Sequence, residues 1–135
     1  MGMVRLHAGR SAWRSLLLVG ALPAALLATG VARAQAIPHS LVASPDIYKV
    51  LAENEQYRVI EVTWKAGQRD QVHSHPASAV YYLMDCTLRG YDGKGKLLGE
   101  RAVKAGTAIV QAPIAAHMLE NAGPEACKLI MFEPR

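Results

Sequence analysis

The stretch "GQRDQVHSHPASAV", residues 67–80, contains two histidines, His73 and His75, with one residue between them. Side chains alternate between the two faces of a β-strand, so on a strand both imidazoles project to the same side. A metal ion needs at least one more ligand, and His117 is the third histidine of the region that is expected to fold. Three imidazoles suit zinc, copper, iron or nickel and leave coordination positions open. The alternative interpretation is that these are ordinary polar residues near a turn.

The sequence on both sides of this stretch predicts an all-β fold. From residue 47 onward, short apolar or alternating runs are separated by turn residues, with little helical periodicity. "YRVIEVTW" (Tyr57–Trp64) alternates and is rich in β-branched and aromatic residues, residues 79–84 form a second run, and "DGKG" at 92–95 is a hairpin signal. Roughly eight strands are expected, spaced as in a sandwich or barrel.

The stretch at 67–80 also resembles the first motif of the cupin family. That motif has a glycine, five residues, His-x-His and, a few residues later, a glutamate. Gly67, His73 and His75 occupy the matching positions. The position of the glutamate falls on Ala79 or Val80, and neither side chain can bind a metal.

A second stretch resembles the other cupin motif, which runs from a glycine through a proline-containing turn to a histidine and an asparagine. Gly106 stands eleven residues before His117, as the family pattern requires, and Asn121 follows at the expected offset. Pro113 is one place later than in the family pattern, and the turn glycine is absent. The resemblance extends over about residues 47 to 134, nearly all of the predicted domain.

The resemblance implies a double-stranded β-helix, also called a cupin or jelly-roll barrel, made of antiparallel strands. It implies a metal site inside the barrel near one mouth, with His73, His75 and His117 as ligands and no carboxylate ligand. The metal implied is divalent, namely iron, manganese, nickel, copper or zinc, and its identity is left open.

Three functions are compatible with this resemblance. The missing glutamate makes the site similar to three-histidine iron cupins, which implies a mononuclear metal oxygenase-type enzyme, similar to a dioxygenase, that acts on a small organic molecule. The alternative is a non-catalytic module that binds a small-molecule ligand or a metal. A third possibility is a metal-free barrel that forms a homodimer through an outer sheet face. Nothing in the sequence identifies a substrate, and a fold alone does not decide among these functions.

Three further residues are candidates for contacts around the metal or with a substrate. Asp70 either orients a ligand imidazole or is a solvated turn residue beside Arg69. Tyr81 and Tyr82 follow the position of the missing glutamate, and by alternation one of them should face the barrel interior. The inward tyrosine either binds a substrate or packs in the core with its hydroxyl near the rim.

The N-terminal residues 1–34 are predicted to be a secretory signal peptide. Basic residues precede the apolar run "SLLLVGALPAALLATGV", and the small residues that follow offer cleavage after Ala34 or Ala36. The alternative is a retained membrane anchor, but Pro23 and the cleavage signal favour export to the periplasm or medium without a stable anchor. Residues 35–46 are an extended or loosely ordered lead-in segment, in which His39 is expected to be solvated, and residues 47–135 form the domain.

The charge balance changes when the predicted signal peptide is removed. The chain has 15 Lys and Arg against 11 Asp and Glu, and four of the arginines lie before residue 35, which leaves 11 residues of each sign. The mature chain therefore offers no basic surplus for a nucleic-acid partner.

The two cysteines are Cys86, which takes the place of the closing glycine of the first cupin motif, and Cys127. In an oxidising compartment they form either a disulfide or two buried thiols, and the sequence leaves both open.

Overall fold

A computed structural model describes residues 35–135, so the predicted signal peptide lies outside the described residues. Within that range the chain forms one short helix and nine strands. They are α1 (Ser40–Ala43), β1 (Tyr48–Glu53), β2 (Tyr57–Trp64), β3 (His73–His75), β4 (Ser78–Tyr82), β5 (Cys86–Asp92), β6 (Leu97–Val103), β7 (Ala108–Gln111), β8 (Ile114–Asn121) and β9 (Cys127–Pro134). Among residues 35–135, no helix is long and apolar enough to cross a membrane.

The strands form two antiparallel sheets. The first has the order β1-β2-β9-β4-β7 and the second the order β3-β8-β5-β6. Most neighbours within a sheet are distant in sequence, so the chain crosses repeatedly from one sheet to the other, as a jelly-roll barrel requires. The predicted all-β jelly-roll fold is confirmed.

The core lies between the two sheets and follows the alternation of the strands. On β2, Ile60, Val62 and Trp64 point inward and are almost fully buried. Every second residue of β9 is also buried, ending at Glu133, which is 0% exposed. The second sheet contributes Leu88, so apolar side chains from both sheets fill the core.

The lead-in segment packs against the barrel. His39 is the N-cap of α1, where its Nδ1 accepts a hydrogen bond from the Leu41 amide at 3.2 Å, and it forms a parallel bridge with Ser74 of β3. Ser40 and Ser44 are buried. The expectation that this segment is loosely ordered is therefore wrong from residue 39 onward. The expectation that His39 is solvated is also wrong, because its side chain is only 23% exposed.

The two glycines that match the cupin motifs have backbone conformations that favour glycine. Gly67 has φ of 72° and Gly106 has φ of 83°, a region that a Cβ disfavours. The Gly67 amide donates to the Asn121 carbonyl at 2.9 Å, and the Asn121 side chain donates to the Glu125 carbonyl at 2.7 Å. The motif glycine and asparagine thus close the loops at the β8 end of the barrel.

Cys86 and Cys127 form a disulfide, with their Cα atoms 5.1 Å apart. Cys86 begins β5 in the four-stranded sheet, and Cys127 begins β9 in the five-stranded sheet. The alternative of two buried thiols is wrong, and the bond links the two sheets through the core.

Candidate metal centre

Strands β3 and β8 bring the three predicted histidine ligands together. His73 and His75 lie on one face of β3, and His117 lies directly opposite His73 in the antiparallel register. The ring centroid of His73 is 4.7 Å from that of His75 and 4.5 Å from that of His117. One nitrogen from each ring lies within 4.8 Å of the other two, so the cluster can hold a metal ion.

The backbone determines which nitrogen of His73 faces the cluster. Its Nδ1 lies 2.7 Å from the Gln71 carbonyl oxygen, which can only accept, so Nδ1 carries the proton. In the neutral ring the lone pair is then on Nε2, which lies 2.9 Å from His75 Nε2. A histidine that ligates a metal commonly donates its other N–H to a carbonyl in this way.

His117 presents a buried nitrogen that nothing in residues 35–135 satisfies. Its Nε2 has no hydrogen-bond partner there, although it is shielded from solvent. An unpaired buried polar atom costs roughly 1–3 kcal/mol, and a metal ion would remove that cost by accepting the lone pair. The donor set, three imidazoles with converging nitrogens, therefore fits a divalent transition metal.

Burial keeps His73 and His117 in the neutral form that metal binding needs. It lowers the pKa of His73 to about 4, even though the hydrogen bond to Gln71 acts to raise it. Burial also lowers the pKa of His117 to about 3, with a further contribution from His73 and His75 nearby. Both lone pairs are thus available to a cation at neutral pH.

Asp70 is buried beside the cluster and receives three hydrogen bonds. Its Oδ2 accepts from the Tyr48 hydroxyl at 2.8 Å and from Trp64 Nε1 at 3.2 Å, and its Oδ1 accepts from the Leu119 amide at 2.7 Å. Asp70 is 2% exposed, so the interpretation of a solvated turn residue is wrong. Burial raises the pKa of Asp70 to about 6, although the three donors act to lower it.

Asp70 does not hydrogen-bond a histidine itself, and Tyr48 lies between it and the cluster. Its Oδ1 is 3.7 Å from His73 Nδ1, and that nitrogen already donates to Gln71. The Tyr48 oxygen lies 3.2 Å from His73 Nε2, and burial raises the Tyr48 pKa well above its usual value, so the hydroxyl stays protonated and donates to Asp70. Tyr48 was not expected from the sequence, because nothing in "DIYKV" distinguishes it from a core tyrosine.

The two adjacent tyrosines face opposite sides of β4, as alternation predicts. Tyr82 is 2% exposed and lies inside, with its hydroxyl 3.3 Å from an Arg101 nitrogen, whereas Tyr81 is 49% exposed on the outer face. At the position of the family glutamate, Val80 points inward and Ala79 outward. The inward side of β4 therefore presents an apolar side chain next to the histidines.

A small cavity adjoins the cluster. It has a volume of about 20 Å³ and is lined by His75, His117, Tyr48 and Tyr82 together with apolar core residues. A space of this size holds about one water molecule. The cavity has no room for an organic molecule, and Arg101, which is exposed, and Gln111 are the other polar residues that line it.

Glu133, at the end of β9, is a carboxylate inside the barrel that the sequence reasoning missed. It lies between His39, whose Nε2 is 2.7 Å from Oε1, and His75, whose Nδ1 is 3.6 Å from Oε2. Burial raises the pKa of Glu133, but these two imidazoles outweigh that effect and bring it down to about 2. The alternation of "CKLIMFE" contained the signal, because Glu133 is in phase with the inward Leu129 and Met131.

The stability of the metal-free protein should fall on acidification. Between about pH 6 and 4.5, His73 and His117 are protonated in the unfolded chain, where they have their ordinary pKa, but stay neutral in the folded protein. Asp70 acts in the opposite direction, because its raised pKa lets it take up one proton in the folded protein but not in the unfolded chain. The unfolded state therefore binds about one proton more, and unfolding becomes easier by roughly 1.4 kcal/mol per pH unit. Urea denaturation followed by Trp64 fluorescence measures this slope. His117→Ala should flatten it, and an unchanged slope in that variant would contradict the pKa assignments.

The sequence matches no protein-family model and no curated protein. The fold of this chain is similar to that of several solved structures. A cupin domain from Bordetella pertussis superposes with a TM-score of 0.59 at 16% identity, over 76% of this chain and 99% of that domain. An uncharacterized conserved protein with a double-stranded β-helix domain from Klebsiella pneumoniae gives a TM-score of 0.51 at 22% identity, over 65% of this chain and 75% of the other.

These comparisons establish the fold. The chain has the fold of the cupin superfamily, a double-stranded β-helix with three histidines inside the barrel.

Proposed function

We propose that this protein is a metal-binding cupin that holds one divalent transition metal through His73, His75 and His117. The observation that carries the proposal is the convergence of three buried imidazole nitrogens, one of which, His117 Nε2, has no partner among the described residues. The low pKa values of His73 and His117 support it, because both rings are neutral at physiological pH. The nitrogen-only donor set favours zinc, copper, nickel or iron over manganese.

The size of the adjoining cavity favours a non-catalytic binding module over an enzyme. A dioxygenase binds substrate and oxygen at one metal, whereas the cavity beside His75 and His117 has about 20 Å³. When bound, the metal would supply a Lewis-acidic centre to a small ligand such as water. The chain's own residues would hold that ligand, because the side chains of Tyr48 and Tyr82 line the cavity.

A mononuclear oxygenase-type enzyme is the second candidate. The observation in its favour is that exposed Arg101 lines the cavity and contacts the Tyr82 hydroxyl. A guanidinium at that place could bind an anionic small molecule. This candidate predicts oxygen consumption with an added small acid, and the binding module predicts none.

Export to the periplasm or medium is part of the proposal. The predicted signal peptide supports it, and so does the disulfide between Cys86 and Cys127, since such bonds persist in oxidising compartments. Sequencing the N terminus of the protein recovered from a cell fractionation tests it, and a start at Gln35 or Ile37 is expected.

The homodimer remains a prediction. Large apolar side chains are exposed on the outer face of the five-stranded sheet, among them Tyr81, Val110 and Phe132, and Val110 is 87% exposed. Such a surface is compatible with association.

A zinc titration tests the proposed metal site. His117→Ala should weaken zinc binding by on the order of 100-fold or more, because changes in the partners of ligands alone cost 10–100-fold. Met118→Ala, one residue away on the opposite face of β8, is the matched control and should bind zinc as the wild type does. Equal affinity in His117→Ala and the wild type would contradict the site.

A further inference from the structure

Glu133 lies at the point where three distant segments of the chain meet. Its carboxylate faces His39 of the lead-in segment, His75 of β3 and Arg58 of β2, whose Nε is 3.0 Å from Oε1. The Glu133 side chain is 0% exposed. A buried carboxylate is costly unless it is paired, so these three neighbours must stabilise the negative charge of Glu133.

We propose that Glu133 is a positioning residue for His75. It holds the proton on His75 Nδ1 and thereby leaves the lone pair of Nε2 to the three-histidine cluster, and His39 holds Glu133 in place. This inference rests on the proposed function, and the role of Glu133 in it differs from that of the motif glutamate, which is a metal ligand.

The backbone of the lead-in segment determines which ring nitrogen of His39 carries the proton. Its Nδ1 accepts from the Leu41 amide, so the neutral ring carries its proton on Nε2, the atom that lies 2.7 Å from Glu133 Oε1. Ligand atoms of His39, His75 and Glu133 are close enough for a cation, but a protonated Nε2 cannot bind one. The N–H is not aligned as in an ideal hydrogen bond, so the contact is mainly electrostatic.

Glu133 Oε1 thus lies beside His39 Nε2 and Arg58 Nε, and Glu133 Oε2 faces His75. At 3.6 Å from His75 Nδ1 this oxygen is too far for a hydrogen bond, and Nδ1 has no other partner in residues 35–135. Inside a protein a lone pair that faces an anion is unfavourable, whereas an N–H facing it is favourable. The carboxylate therefore favours the proton on Nδ1.

The position of the His75 proton affects the metal site through the other ring nitrogen, Nε2. Nε2 lies 2.9 Å from His73 Nε2, which is itself an acceptor because His73 Nδ1 donates to Gln71. Without Glu133, the His75 proton would move to Nε2 and donate to His73, which would block two metal ligands at once. Carboxylate partners of ligating histidines have this tautomer-fixing effect on metal affinity.

The test combines zinc titration with nitrogen NMR of the imidazoles, on protein purified as the cell makes it and without an affinity tag. Glu133→Gln removes the charge at similar volume, and His39→Ala removes the contact that holds Glu133 in case the first variant folds poorly. Glu61→Gln is the matched control, because Glu61 pairs with Lys128 at 3.2 Å across the same two strands but away from the histidines. Nitrogen spectra of the metal-free protein show directly which nitrogen of His75 carries a proton.

We expect zinc affinity to fall by about 10–100-fold in Glu133→Gln, to fall less in His39→Ala, and to stay unchanged in Glu61→Gln. In the metal-free wild type His75 Nδ1 should be protonated, and in Glu133→Gln the proton should shift to Nε2. Unchanged zinc affinity in Glu133→Gln, or an unprotonated Nδ1 in the wild type, would overturn the inference. If the wild type binds none of zinc, copper, nickel and iron, the proposed function fails, and the nitrogen spectra still decide the role of Glu133.

Discussion

Loss of the Cys86–Cys127 bond should lower the free energy of unfolding by about 4 kcal/mol. The bond closes a loop with a sequence separation of 41 residues, and the loop-entropy relation gives roughly this value for a loop of that length. The bond also joins the two sheets in the core, where Cys127 is 0% exposed. Urea denaturation monitored by Trp64, which pairs with Cys127 across β2 and β9, measures the difference between oxidised and reduced protein.

The reduction must be carried out on the unfolded chain, because the folded barrel shields the bond from reductant. The control is Cys86→Ala combined with Cys127→Ala, which should unfold at the same urea concentration with or without reductant. Equal stability of the oxidised and reduced wild type would contradict a structural role for the bond.

Asp70→Ala should destabilise the domain by about 4 kcal/mol. The change leaves the Tyr48 hydroxyl, Trp64 Nε1 and the Leu119 amide without their acceptor, and each unsatisfied buried donor costs roughly 1–3 kcal/mol. It should also weaken metal binding, because Tyr48 would no longer be held beside His73. Thermal unfolding and zinc titration of the same sample measure the two effects.

Asp85→Ala is the control for this prediction. Asp85 pairs with Lys104 at 2.7 Å, but its side chain is 61% exposed, so its removal should leave unfolding and zinc binding nearly unchanged. Asp70→Asn should lie between the two, since the amide oxygen can still accept from some of the three donors. Wild-type stability in Asp70→Ala would show that water replaces the carboxylate.

The strands could be predicted where one face of the sequence is apolar. "YRVIEVTW" coincides with β2, because its alternation places Ile60, Val62 and Trp64 in the core. Residues 79–84 were expected as a strand, but β4 is Ser78–Tyr82, since residues 83 and 84 leave the sheet before Cys86. Nine strands are present rather than eight, and the order of strands in the sheets follows from pairings that no local pattern contains.

The histidine cluster could be predicted only in part. The His-x-His spacing and the second motif pointed to His73, His75 and His117, which the register of β3 and β8 brings together. The surroundings could not be predicted, because they depend on contacts between residues far apart in sequence. Glu133 lies 58 residues after His75, and His39 reaches the site only because α1 packs beside β3.

Elemental analysis tests the central claim, metal binding by His73, His75 and His117, most directly. It should be made on untagged protein purified from its native compartment, with His117→Ala prepared in parallel. We expect close to one iron, nickel, copper or zinc ion per wild-type chain and none in His117→Ala. Metal-free wild-type protein that neither gains thermal stability nor takes up metal when these ions are added would contradict this claim, and would leave a small barrel without a metal centre.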